Sequence, residues 1–122
     1  MGVDQMKMTN AQMTEIGVLR FSKRLQSTLA ENFPEWLWLK SEEALEEILR
    51  AITRANSHLL RTERECASFV LAWLLAGEDF DQKSEAVTET LASTSLSSRE
   101  KASWIDEWIK FILAAMTYRG LP

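Results

Sequence analysis

An all-α, single-domain bundle of about five helices is the fold class this sequence predicts, and three observations carry the prediction. Chain breakers are scarce, four Gly and two Pro in 122 residues, while good helix formers such as Ala, Leu, Glu, Lys, Arg and Met abound. Apolar residues recur at spacings of three and four along several long segments, which places one buried stripe on each helix. Two capping boxes, TERE at 62–65 and SSRE at 97–100, mark helix starts directly. At 46% apolar and 26% charged, with five Trp and five Phe, the chain is globular in composition and long enough to bury a core without disulfides or metals.

Taken in order, residues 1–8 read as a loose tail ahead of one helical domain over 9–122. Thr9 or Asn10 can cap a first helix that runs to about Phe33, where Pro34 stops it; Val18, Phe21, Leu25, Leu29 and Phe33 lie along one face. Gly17 weakens this segment by up to about 1 kcal/mol relative to Ala, so a later start or a bend there is the alternative. The connector FPEWLWLKSEE leads to a second helix capped by Ser41, with Glu42 and Glu43 at the positive end of its dipole. Leu45, Ile48, Leu49, Ile52, Ala55 and Leu59 form its apolar stripe, and Glu46 and Arg50 an i, i+4 pair on the opposite side. It should end near Asn56 to His58. The third helix opens at the Thr62–Glu65 capping box and is apolar nearly all round, as a central helix should be, with Gly77 placed as a left-handed C-terminal cap. A shorter fourth helix starts near Ser84 and carries Val87 and Leu91 into the loop ASTSLSS. The fifth starts at Ser97–Glu100 and turns Ala102, Ile105, Trp108, Ile109, Ile112, Leu113 and Met116 inward; Gly120 closes it and Leu121 supplies a Schellman-type contact.

Several functional classes fall away on composition. Fourteen basic against eighteen acidic residues leave a net charge of −4, the wrong sign for a phosphate backbone, so nucleic acid is not the expected partner. The longest uncharged stretch, 66–77, is too short for a bilayer, which needs about twenty residues, and the N-terminus carries neither a secretory signal nor a myristoylation motif. Membrane association is not expected. Cys66 is the single cysteine, which suits a reducing cytoplasm. One Cys and one His cannot supply a structural zinc site, and no cofactor is expected. A Cys66–His58 catalytic pair is disfavoured because an apolar helix raises a thiol's pKa. In an EF-hand alignment, Lys83, Ser84 and Thr90 stand where ligands and a glycine belong, so calcium at Asp79, Asp81 and Glu85 is disfavoured too.

The acidic run LLAGEDFDQ at 74–82 remains. Glu78, Asp79 and Asp81 fall within four positions, but acid–base catalysis needs carboxylates in different environments, and neighbours on one exposed turn share theirs. The mechanical reading has Gly77 end a helix, Phe80 anchor in the core, and Asp79 or Asp81 accept from free amides in the turn. What is left for the carboxylates is contact with a basic partner. The second signal is aromatic surface. Trp36 and Trp38 flank a helix junction, and Trp104 and Trp108 form an i, i+4 pair at the edge of the last helix, close to Phe111; five helices of this length need not enclose them all. Glu42, Glu43, Glu46 and Glu47 add negative charge.

The order of ENFPE, EEALEEILRAITRA, TERECASFVLAWLLAGEDFD and a long last helix resembles small bacterial accessory proteins of type VI and other contractile injection systems, in which FPE and GxDFD recur. SHLL stands here where such proteins tend to carry a Tyr-Gly-Ile turn before TE. The resemblance implies a binding role with no catalytic residues: an immunity protein that neutralises a cognate toxin or effector domain with a basic surface, the alternative being a chaperone or adaptor for an effector. The expected partner-contacting residues are Glu78, Asp79, Asp81, Trp36, Trp38, Trp104 and Trp108. A small hydrolase using Asp79 and Asp81, and a homodimer through the last helix, are the readings from other classes.

Overall fold

The computed structural model describes residues 15–120, with side chains over 17–115. Its elements are α1 (Glu15–Asn32), a 3-10 turn (Leu37–Lys40), α2 (Glu42–Ser57), α3 (Glu63–Ala76), α4 (Phe80–Lys83), α5 (Glu85–Ala92) and α6 (Ser98–Gly120). The five expected helices are α1, α2, α3, α5 and α6. The two additions are single turns inside connectors, too short for a periodic pattern to reveal. Among the described residues there is no strand, and no helix is long and apolar enough to cross a membrane.

The ends form where side chains replace missing helical hydrogen bonds. Ser41 Oγ accepts from the Ala44 amide at 3.1 Å. In the first capping box the Glu65 amide donates to Thr62 Oγ1 at 3.2 Å and the Thr62 amide to Glu65 Oε1 at 3.4 Å; in the second, the Glu100 amide donates to Ser97 Oγ at 3.1 Å and the Ser97 amide to Glu100 Oε1 at 2.9 Å. Hydrogen bonds from the Ser97 amide and the Ser97 hydroxyl hold the Glu100 carboxyl below its ordinary value. α2 closes in a Schellman motif: the Leu60 amide reaches the Ala55 carbonyl and the Leu59 amide the Asn56 carbonyl, both at 3.0 Å. The residue that takes positive φ there is Leu59, at 67°.

Two expectations change and one alternative is removed. Gly77 does end α3, but at φ 108° and ψ 163° it lies beyond the left-handed helical region, in a region almost exclusive to glycine. Arg50 pairs with Glu47 and, at 3.4 Å, with Glu78, rather than with Glu46. The chain is helical through Gly17, with no start delayed past it. The tail at 1–8, the caps at Thr9 and Asn10 and the Leu121 contact lie outside the described residues, as does the Met116 side chain.

α3 is the central helix. It packs against α2 on one side and α6 on the other; α1 lies on α2 and the 3-10 turn, and α5 rests on α4 and α6. One apolar cluster runs through all of these elements, from Phe21 and Leu29 through Leu39, Ile52 and Phe69 to Val87 and Ile105. Cys66 lies inside it, and burial, with Glu65 and Glu63 adding repulsion, pushes its thiol up to about 12. It is packing, not a nucleophile.

Candidate protein-binding site

The turn after α3 divides its residues between the interior and the surface. Phe80 is buried, its ring centroid 4.8 Å from Phe69 and 5.7 Å from Trp108, so it is the anchor the sequence predicts. Asp81 follows it inside. Its side chain has no exposure, and Arg54 grips it with both ends of the guanidinium fork, Nε to Oδ2 at 2.7 Å and a terminal nitrogen to Oδ1 at 3.2 Å. His58 Nε2 lies 2.7 Å from Oδ2; a carboxylate can only accept, so this nitrogen carries the proton. The Asp81 main-chain carbonyl accepts from Thr88 Oγ1 at 2.7 Å. Arg54 and His58 stand at the C-terminal end of α2, where its dipole favours positive charge, so Asp81 ties that end to α4 and α5.

Two expectations are corrected here. Asp81 is not a surface contact for a partner, because its oxygens are enclosed and already occupied. Nor does it accept from turn amides; its partners are side chains 27 and 23 positions earlier. Asp79 stands N-terminal to α4 without a side-chain capping bond, and it is exposed, as is Glu78. Asp79 and Asp81 thus share neither an environment nor a common cleft.

The aromatic residues divide in the same way. Trp108 is stacked on Phe80 with an interplanar angle of 26°, and both Trp104 and Trp108 are half-buried against the core. Each therefore offers a partner only the part of its ring that does not pack against the core. On that helix the exposed large side chain is Phe111, at 71%. Trp36 and Trp38 do meet at the surface, stacked at 5.5 Å with an interplanar angle of 24°. Between them Leu37 is 72% exposed, while Leu39 takes the buried position of the 3-10 turn.

Beside this shelf lies a notch of about 310 Å³, lined by Trp36, Trp38, Glu47, Trp73, Leu74, Gly77 and Glu78. Glu47 Oε2 accepts from Trp73 Nε1 at 2.8 Å and its other oxygen from Arg50, which fixes the carboxylate against the indole. Glu78 pairs with Arg50 at 3.4 Å and is 53% exposed. The notch thus combines aromatic faces with two carboxylates, suited to a cationic side chain. The sequence marks Trp36, Trp38 and Glu78 as candidates but not Trp73, which is indistinguishable by spacing from the other core residues of α3. Compared with known proteins, the chain matches no family model, no curated protein and no solved structure.

Proposed function

We propose that this chain is a non-enzymatic binding protein that acts in the cytoplasm by neutralising a partner protein through direct contact. The observation that carries the reading is the Trp36–Leu37–Trp38 shelf beside a carboxylate-bearing notch. A large apolar residue left 72% exposed between two stacked indoles gives no folding benefit, but it is the kind of desolvated anchor that dominates protein interfaces. The partner presents an arginine or lysine to the notch, where the indole faces and Glu78 receive the charge. Resemblance to accessory proteins of contractile injection systems makes the partner a toxin or effector domain and the role that of an immunity protein.

The test is co-expression with any toxin or effector domain found encoded in the neighbouring reading frame. The wild-type chain should abolish the growth arrest and form a complex with the folded domain. Trp38→Ala and Glu78→Arg should lose protection while keeping the wild-type circular dichroism and melting temperature. Full protection by both folded variants, or binding restricted to an unfolded effector segment, overturns the reading; the second result would favour a chaperone.

A further inference from the structure

Lys101 is a buried charge without a counter-ion among the described residues. The residue is 8% exposed, and its ammonium donates one hydrogen bond, to the Leu91 carbonyl at 2.8 Å. Among the described residues no carboxylate lies within 4.0 Å of it. Buried ammonium groups are ordinarily paired, because removing the ion from water is costly. Its position adds to the cost: Lys101 is in the first turns of α6, where the helix dipole is positive. The Leu91 carbonyl, near the C-terminal end of α5, offsets part of this and uses one of three N–H donors.

Lys101 lines a cavity of about 500 Å³ between the ends of α2 and α5, the loop after α5, and the start of α6. Among the described residues no Asp or Glu lines it, although the chain as a whole carries a net charge of −4. Thr94 brings a hydroxyl, whereas Ser97 Oγ accepts from the Glu100 amide and its hydroxyl bonds the Glu100 carboxyl. Leu59, Leu91 and Leu96 form an apolar side. Both nearby acids are already engaged, Glu100 by the amide and hydroxyl of Ser97 and Asp81 by Arg54 and His58.

We propose that this cavity binds a small phosphate monoester, with Lys101 as counter-ion, Thr94 as hydroxyl donor, and the three leucines against the organic group. The volume decides for an ester over a bare ion, since cavities of roughly 300–1,000 Å³ hold whole small molecules. The site is remote in role from the tryptophan shelf and stands whether or not the binding reading above holds.

The experiment is an amide NMR titration of the full chain at neutral pH and constant ionic strength with glycerol 3-phosphate, inorganic phosphate and, as a control, chloride. Glycerol 3-phosphate should give saturable shifts confined to 93–101 and the neighbourhood of His58, and bind more tightly than inorganic phosphate. Lys101→Met, which keeps the buried stem, should weaken binding about tenfold or more, and Thr94→Val, on an exposed loop, about threefold. Shifts that chloride reproduces, shifts scattered over the surface, or undiminished binding by Thr94→Val and Lys101→Met overturn the proposal. If Lys101→Met does not fold, the wild-type localisation and Thr94→Val decide alone.

Discussion

Two connectors of this molecule are built alike and end up doing opposite things. Residues 33–41 and 77–84 each leave a helix end, pass through a single helical turn and finish at a serine that caps the next helix. In the second connector the large groups go inward: Phe80 meets Phe69 and Trp108, and Asp81 meets Arg54 and His58. In the first only Leu39 is fully buried, while Leu37 and Trp38 face solvent. Composition does not account for the difference, since both carry aromatic and apolar residues. What neighbouring helices offer does: the 77–84 turn sits where α2, α3 and α6 present an aromatic slot and the hydrogen-bonding side chains of Arg54 and His58. A connector with partners on every side becomes a stability element, and one without them is free to become a contact surface.

The largest effect should come from breaking the inward connector. Asp81→Asn removes the acceptor of two side chains and leaves an amide in a fully enclosed position. Arg54 and His58, at 32% and 26% side-chain exposure, can partly return to water, so the loss should fall near the lower end for a broken buried pair, about 3 kcal/mol. Urea unfolding measures it. A loss under about 0.5 kcal/mol, ordinary for a surface site, would return Asp81 to the surface group. Phe80→Ala should cost a similar amount, about 3 kcal/mol or more.

Next comes the entry to the same connector. A Cβ at Gly77 would meet nothing within 4 Å, so space does not forbid a side chain there; the backbone at φ 108° does. Gly77→Val should therefore lose about 1–3 kcal/mol through backbone strain alone, and Gly77→Ala, which is no larger than the open space allows, should lose nearly as much. A harmless alanine in thermal unfolding would show that the turn relaxes, contrary to the fixed geometry that carries Phe80 inward.

The outward connector should respond weakly in stability. Trp38→Ala removes a residue already 36% exposed, so its unfolding free energy should change by less than about 1 kcal/mol, while affinity for a partner falls by about 2 kcal/mol, roughly thirtyfold. A large stability loss with unchanged affinity would make the two connectors alike.

Much of the fold can be read in the chain because its signals are local. Ser41, Thr62–Glu65 and Ser97–Glu100 name their own bonding partners three residues away, and the stripe through Ile48, Ile52 and Ala55 follows from helical spacing. The division of the GEDFD turn cannot be read this way. Glu78 and Asp81 are equivalent in sequence, and only the arrival of Arg54 and His58 from another helix separates them. Trp108 and Trp38 likewise differ by whether Phe80 comes to meet the ring. Lys101 looked like any solvated lysine, since its burial depends on how α5 packs on α6.

The smallest expected effect runs in the opposite direction. Gly77 and Leu59 both take positive φ at the end of a helix, one with the residue suited to it and one without. A left-handed conformation costs an L-residue about 1–2 kcal/mol, and Leu59 recovers little of that by burial, being 58% exposed. Its hydrogen bonds are all main-chain: its amide donates to the Asn56 carbonyl, and its carbonyl accepts from Ser98 Oγ at 3.1 Å. Leu59→Gly keeps both and relieves the strain, but a glycine gives up about 0.5–1 kcal/mol more entropy on folding. The balance is a gain of about 0.5 kcal/mol, a rise of about 2–3 °C in melting temperature for a domain of this size. The same measurement on Gly77→Ala should move the other way. Opposite signs from mirror substitutions at two helix ends would show that positive φ, and not the side chains lost or added, sets the stability of both junctions.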